Sequence, residues 1–110
     1  MNIQIFGSTK CFDTKKAQRY FKERRIRFQD IDMRRFGMSR GEFNAVLRAV
    51  GVEELADPKA RDYDILRYLA HDEDRIEKLF ENQQMIRTPV VRNGRQCTVG
   101  YRPDIWDTWE

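Results

Sequence analysis

The chain has 110 residues, about the size of one average domain, so a single compact core spanning residues 1–110 is expected. Its 21 Lys and Arg against 18 Asp and Glu leave a formal net charge of +3, mildly basic and well short of a dedicated nucleic-acid binder. With 40% hydrophobic and 35% charged residues, 3 Pro and 6 Gly, the composition excludes disordered and collagen-like chains and points to short loops and much helix.

No run of apolar residues is long enough for a membrane span, and the segment Met1-Asn2-Ile3-Gln4-Ile5-Phe6 lacks the basic-then-apolar order of a secretory signal. Two cysteines, Cys11 and Cys97, are too few for a secreted disulfide scaffold. A cytoplasmic protein with reduced thiols, monomeric by default at this size, is expected.

Ile3 and Ile5 open a short strand that stops at Gly7-Ser8. From Asp13-Thr14 onward, Ala17, Tyr20 and Phe21 fall at helical spacing with Lys15, Lys16, Arg19 and Lys22 opposite, and Asp13 is the expected N-cap. Ile26, Phe28 and Ile31 make a second strand, which completes a βαβ unit. Ser39 with Glu42 three residues on forms a capping box before Phe43, Val46, Leu47 and Val50, and Gly51 ends that helix. Leu55 marks a short helical segment, Tyr63, Leu66 and Leu69 a further helix, and Ile76, Leu79 and Phe80 one running from Asp72 to Phe80.

The pattern then changes to Thr88-Pro89-Val90-Val91-Arg92, Asn93-Gly94 and Gln96-Cys97-Thr98-Val99-Gly100, a hairpin for which a type I′ Asn-Gly turn is expected. Arg102-Pro103-Asp104 starts a last helix through Ile105, Trp106 and Trp109, the two tryptophans anchoring it to the sheet. The order β-α-β, helices, β-β-α predicts an α/β thioredoxin-like fold: a mixed four-stranded sheet with a helical insertion over about 39–82.

Cys11 stands between a strand and a helix start, where free backbone N–H groups and the helix dipole stabilise a thiolate or a bound anion. Lys10, Lys15 and Lys16 add positive charge nearby. The alternative is a free cysteine packed as a small hydrophobe. Thr14 sits where a Cys-x-x-Cys motif would place its second thiol, so Cys11 has no local resolving partner; the Thr14 hydroxyl either donates to the sulfur or caps the helix. Cys97 reads as a half-buried strand residue, and a single histidine, His71, is too little for a zinc site. Arg24, Arg25, Arg27, Arg34, Arg35 and Arg40 gather around the second strand, most simply as a solvated face.

The stretch from Ile5 to Ala17 (Ile5-Phe6-Gly7-Ser8-Thr9-Lys10-Cys11-Phe12-Asp13-Thr14-Lys15-Lys16-Ala17), with Asp30-Ile31-Asp32, Arg87-Thr88-Pro89-Val90-Val91 and Val99-Gly100-Tyr101 in that order, resembles the arsenate reductase (ArsC) family of thioredoxin-like proteins, which also contains the Spx-type regulators. The resemblance spans essentially the whole chain. It implies a nucleophilic Cys11 that attacks an oxyanion or a disulfide, with glutathione as co-substrate or a glutaredoxin resolving the adduct, and no bound cofactor. It also implies cationic ligands: Arg102 before the last helix, Lys59 or Arg61 in the insertion, and Arg87 beside Thr88, which holds the position of the arginine before the cis-proline. A lysine cannot form the planar fork that suits an oxyanion. Thr88-Pro89 resembles the segment that pairs with glutathione or an extended peptide, with Pro89 cis. Lys10, Thr14 and Lys15 complete the expected substrate loop. A regulatory, Spx-like module with RNA polymerase as partner is the competing expectation.

Overall fold

The computed structural model describes residues 1–109. Strand β1 (Ile3–Gly7) buries Ile3, Ile5 and Phe6, as a strand covered on both faces must. It pairs parallel with β2 (Phe28–Asp32) on one side and antiparallel with β3 (Val90–Asn93) on the other. Strand β4 (Gln96–Val99) adds antiparallel to β3, giving the mixed order β2-β1-β3-β4. Helix α1 (Phe12–Glu23) links the two parallel strands and buries Thr14, Ala17, Tyr20 and Phe21, the face its spacing marks as apolar.

Successive residues of the central strands point to opposite faces, and each face has its own core. Ile3, Ile5 and Val91 pack with Ala17, Tyr20, Phe21, Trp106 and Trp109. Phe6 and Val90 face the other way, onto Phe43, Val46, Leu55, Leu79 and Met85 of the insertion. Each such fully buried large side chain contributes roughly 1.5–3 kcal/mol, so the insertion is one wall of the domain, fixed by the sheet it covers.

The insertion comprises α2 (Arg40–Val50), α3 (Val52–Leu55), α4 (Asp64–Arg67), α5 (Asp72–Glu81) and a 3₁₀ turn at Gln83–Met85. The capping box is present: Ser39 Oγ accepts from the Glu42 N–H at 3.2 Å, and Glu42 Oε1 accepts from the Ser39 N–H at 2.9 Å. Gly51, at φ +85°, closes α2 in a conformation that L side chains rarely adopt. Arg40 grips Glu77 with two bonds of 3.1 and 2.7 Å while its guanidinium lies 3.9 Å from the Phe80 ring centroid, which ties α2 to α5.

Several local expectations are corrected. Cys11, not Asp13, is the N-cap of α1, and Asp13 lies in the first turn, where a carboxylate favours the helix dipole without capping. The helix expected from Tyr63 to Leu69 is one turn, Asp64–Arg67, because only Leu66 of that run is fully buried. In the hairpin Asn93 pairs with Gln96, so the central turn residues are Gly94 and Arg95. Of these only Gly94, at φ +61°, has a positive φ, as a type II′ turn requires, in place of the expected type I′. The last helix, α6 (Pro103–Trp106), stops before Trp109, yet both tryptophans are buried as expected. The arginines around β2 form no single face: Arg24 stacks 3.7 Å from the Tyr20 ring centroid, while Arg40 is spent on Glu77.

The Tyr20 hydroxyl donates to the Asp107 carboxylate, joining α1 to the segment after α6. Burial and that bond push the phenol up to about 12.

Candidate functional site

The site is built where β1 ends. After Gly7 the chain turns so that the Cys11 N–H donates to the Ser8 carbonyl at 3.1 Å, and Cys11 becomes the extended residue that opens α1. Thr14 fastens the turn from inside the helix: its buried Oγ1 accepts from the Ser8 N–H at 3.2 Å. A Cβ on Gly7 would stand 2.3 Å from Thr14 Cγ2, so the close approach needs glycine.

The Thr88-Pro89 peptide is cis, and Pro89 is fully buried beneath the site. The Cys11 thiol donates to the Thr88 carbonyl oxygen at 3.4 Å. Burial pushes this thiol up, but the Thr14 and Thr88 hydroxyls and the N–H groups of Thr14 and Asp13 together bring it below the ordinary value. Cys97 differs: burial pushes it up, and Arg92 only partly offsets this. The two thiols are thus shifted in opposite directions.

The insertion supplies the opposite wall. The Asp57 N–H donates to the Met85 carbonyl at 2.7 Å and the Arg87 N–H to the Leu55 carbonyl at 2.8 Å, flanking an antiparallel bridge between Ala56 and Ile86. This short ladder ties the loop after α3 to the approach to Pro89. The result is a cleft of about 260 Å³ lined by Cys11, Asp13, Asp57, Lys59, Arg87 and Thr88, among others. Arg87 Nε donates to the Ala56 carbonyl at 3.3 Å, which fixes its guanidinium in the wall.

Of the residues expected at the site, Cys11, Lys59, Arg87 and Thr88 line this cleft, with Thr14 and Pro89 directly behind it. Of the two insertion alternatives, Lys59 lines the cleft and Arg61 does not. Lys10 is exposed in the turn, and Lys15 lies 5.7 Å from the Phe12 ring centroid, lining a separate cleft with Asp30 and Arg35. Arg102 grips Asp104 with bonds of 3.3 and 3.2 Å and lines another cleft, beside Cys97. Sequence reasoning missed Asp57; the signal was the Asp57-Pro58 pair, a turn former whose carboxylate accepts from the Lys59 N–H at 2.9 Å. Among the described residues, no group of three or more His, Cys, Asp or Glu is arranged to hold a metal, and no helix is long and apolar enough to cross a membrane.

A mixed sheet, a cysteine at the mouth of the first helix and a cis-proline facing it define a thioredoxin-like domain with a single site thiol. The ArsC family pattern matches residues 6–109, and the chain belongs to the ArsC family. It is similar to the global transcriptional regulator Spx 2 of Oceanobacillus iheyensis, 26% identical over 110 residues that cover 94% of this chain and 80% of that one. It is also similar to protein YusI of Bacillus subtilis, 22% identical over 114 residues covering 97% of each. Among solved structures, the arsenate reductase from Vibrio cholerae superposes with a TM-score of 0.82 at 20% identity, covering 96% of this chain and 94% of that one, a likeness of fold.

Proposed function

We propose that this protein is a cytoplasmic thiol-dependent reductase in which Cys11 is the nucleophile and the cleft between Thr88 and the insertion holds the substrate. The observation that carries this is the Cys11 thiol itself. It sits at a helix mouth, its thiolate is favoured by two hydroxyls and two backbone N–H groups, and it opens onto a cleft containing Arg87 and Lys59. On a disulfide substrate, the Cys11 thiolate attacks one sulfur, the S–S bond breaks, and the leaving thiolate takes a proton from solvent. A glutathione thiolate, or the thiolate of a glutaredoxin, then attacks the mixed disulfide and releases Cys11. The half-buried, upward-shifted Cys97 is poorly suited to that second role.

The test is the pH dependence of Cys11 alkylation by iodoacetamide in Cys97→Ala protein. An inflection below that of a model thiol supports the reductase, with turnover of mixed disulfides lost on Cys11→Ser; an ordinary or raised inflection overturns it. A second reading, a regulatory module with RNA polymerase as partner, draws on the similarity to Spx 2. It predicts that polymerase is captured equally well by wild-type and Cys11→Ser protein.

A further inference from the structure

The charges around Cys11 are not those of a site for a bare oxyanion. Two cations face the cleft, Lys59 and Arg87, and among the described residues neither has a carboxylate within 4.0 Å. Among the described residues Arg87 bonds the protein through Nε alone, at the Ala56 carbonyl, so the fork of its terminal nitrogens is left for a ligand. The same cleft holds two carboxylates. Asp13 is matched by Lys16 at 4.0 Å, but Asp57 has no basic side chain within that distance among the described residues. Asp57 is half-buried, and its one recorded side-chain bond takes the Lys59 backbone N–H onto Oδ1. Among the described residues its other oxygen has no protein donor.

A dianionic oxyanion gains from Arg87 and Lys59 but is repelled by an unmatched carboxylate in the same small cleft, and the third cation expected for it, Arg102, is committed to Asp104 in another cleft. A ligand that carries an ammonium as well as carboxylate satisfies all three unmatched groups at once. Resting on the reductase reading above, we propose that Asp57 makes the Cys11 cleft selective for an amino-acid-type thiol or disulfide, one bearing a free primary ammonium for Asp57 and a carboxylate for Arg87 and Lys59.

The Cys11 thiolate forms a bond to one sulfur of the disulfide, the S–S bond breaks, and the other half leaves as a thiolate that water protonates. A thiolate of a second thiol of this class, different from the one released, then attacks the adduct, forms a new disulfide, frees the Cys11 thiolate and so supplies the two electrons. Both a free cysteine-type disulfide and a γ-glutamyl peptide disulfide carry the required groups, and the experiment separates them.

The test uses the full chain with Cys97→Ala and two probe pairs that differ only in the ammonium: L-cystine against N,N′-diacetylcystine, and glutathione disulfide against its doubly N-acetylated form. The rate of Cys11 mixed-disulfide formation is followed by mass spectrometry, and the ratio within each pair is compared between Asp57 and Asp57→Asn proteins. Asparagine keeps the Oδ1 acceptor for the Lys59 N–H, so the turn is retained, and the ratio cancels any change in thiol reactivity. In at least one pair the preference for the free ammonium should fall about fivefold on Asp57→Asn, the scale of one partly exposed charge pair. The pair that responds identifies the source. Ratios unchanged by Asp57→Asn in both pairs overturn the selectivity while leaving the reductase standing. Failure of Cys11 to react with any of the four probes overturns both.

Discussion

Cys11 Sγ lies 3.4 Å from the carbonyl oxygen of Thr88, a residue 77 positions away, so the nucleophile and the cis-proline segment meet across the end of the sheet. The parallel β1–β2 pair brings the α1 mouth to one edge of this junction, and the antiparallel β1–β3 pair brings Thr88 to the other. The contact has two chemical states. The neutral thiol has an acceptor in the Thr88 carbonyl, whereas the thiolate must turn to the hydroxyls and N–H groups at the head of α1.

Thr14 is the leading support of that second state. Its hydroxyl accepts from the Ser8 N–H while supporting the Cys11 sulfur, and it is buried. Thr14→Val keeps the shape but orphans a backbone donor, and a loss of about 1–3 kcal/mol in unfolding free energy is expected. The Cys11 alkylation inflection should move upward in the same protein. Thr14→Ser, which keeps the hydroxyl, should restore most of both, as measured by urea unfolding and iodoacetamide kinetics.

The two cysteines bend the stability profile in opposite directions. Cys11 is lowered in the folded protein, so its contribution is fully present above the ordinary thiol value of 9.0 and is lost as pH falls through the folded value. Cys97 is raised, so its contribution is present below 9.0 and is lost as pH rises through its folded value. Urea midpoints across the thiol range, each referred to a Cys11→Ser, Cys97→Ala double variant, should therefore rise with pH when only Cys11 remains. They should fall with pH when only Cys97 remains.

The fold was legible wherever one interaction dominates locally. Helical spacing in α1, the Ser39–Glu42 box and the alternation of the hairpin each depend on near neighbours, and each is found in place. The N-cap was misread because Asp13 has the preferred side chain, whereas the cap position is set by where β1 ends and Thr14 packs on Gly7. The turn type was misread because Asn-Gly in sequence does not say which residue the strand register leaves unpaired. Lys59 and Arg87, which line the cleft, were pointed to by the family resemblance. Asp57 was not, since its place in the cleft depends on the bridge between Ala56 and Ile86, a long-range contact with no local signature.

Trp106 tests the opposite face of the sheet. Its indole Nε1–H donates to Thr98 Oγ1 at 2.8 Å, with both residues buried. Thr98→Val leaves the indole without its acceptor, and about 1–3 kcal/mol of stability should be lost, with a change in tryptophan emission. Because this bond lies in the α1–α6 core, Cys11 alkylation should be almost unaffected while the protein remains folded. A parallel loss of thiol reactivity would show that the two faces are coupled.

Arg87 and Arg102 separate what the family resemblance implies from what the geometry provides. Arg87 lines the Cys11 cleft with its terminal nitrogens free of protein partners among the described residues, whereas Arg102 is engaged through Nε and Nη2 by Asp104, two residues away. An anionic disulfide such as 3,3′-dithiodipropionate should therefore react with Cys11 about 5- to 10-fold more slowly in Arg87→Ala protein, reflecting one charge-assisted contact in a partly exposed cleft. Arg102→Ala should change that rate by less than about twofold, since an exposed arginine outside the cleft acts only through screened charge. Both rates are to be divided by the rate with neutral hydroxyethyl disulfide, which removes any change in the nucleophile itself. If Arg102→Ala proves the more damaging, its bond to Asp104 must open when an anion binds, and the helix α6 mouth then belongs to the site.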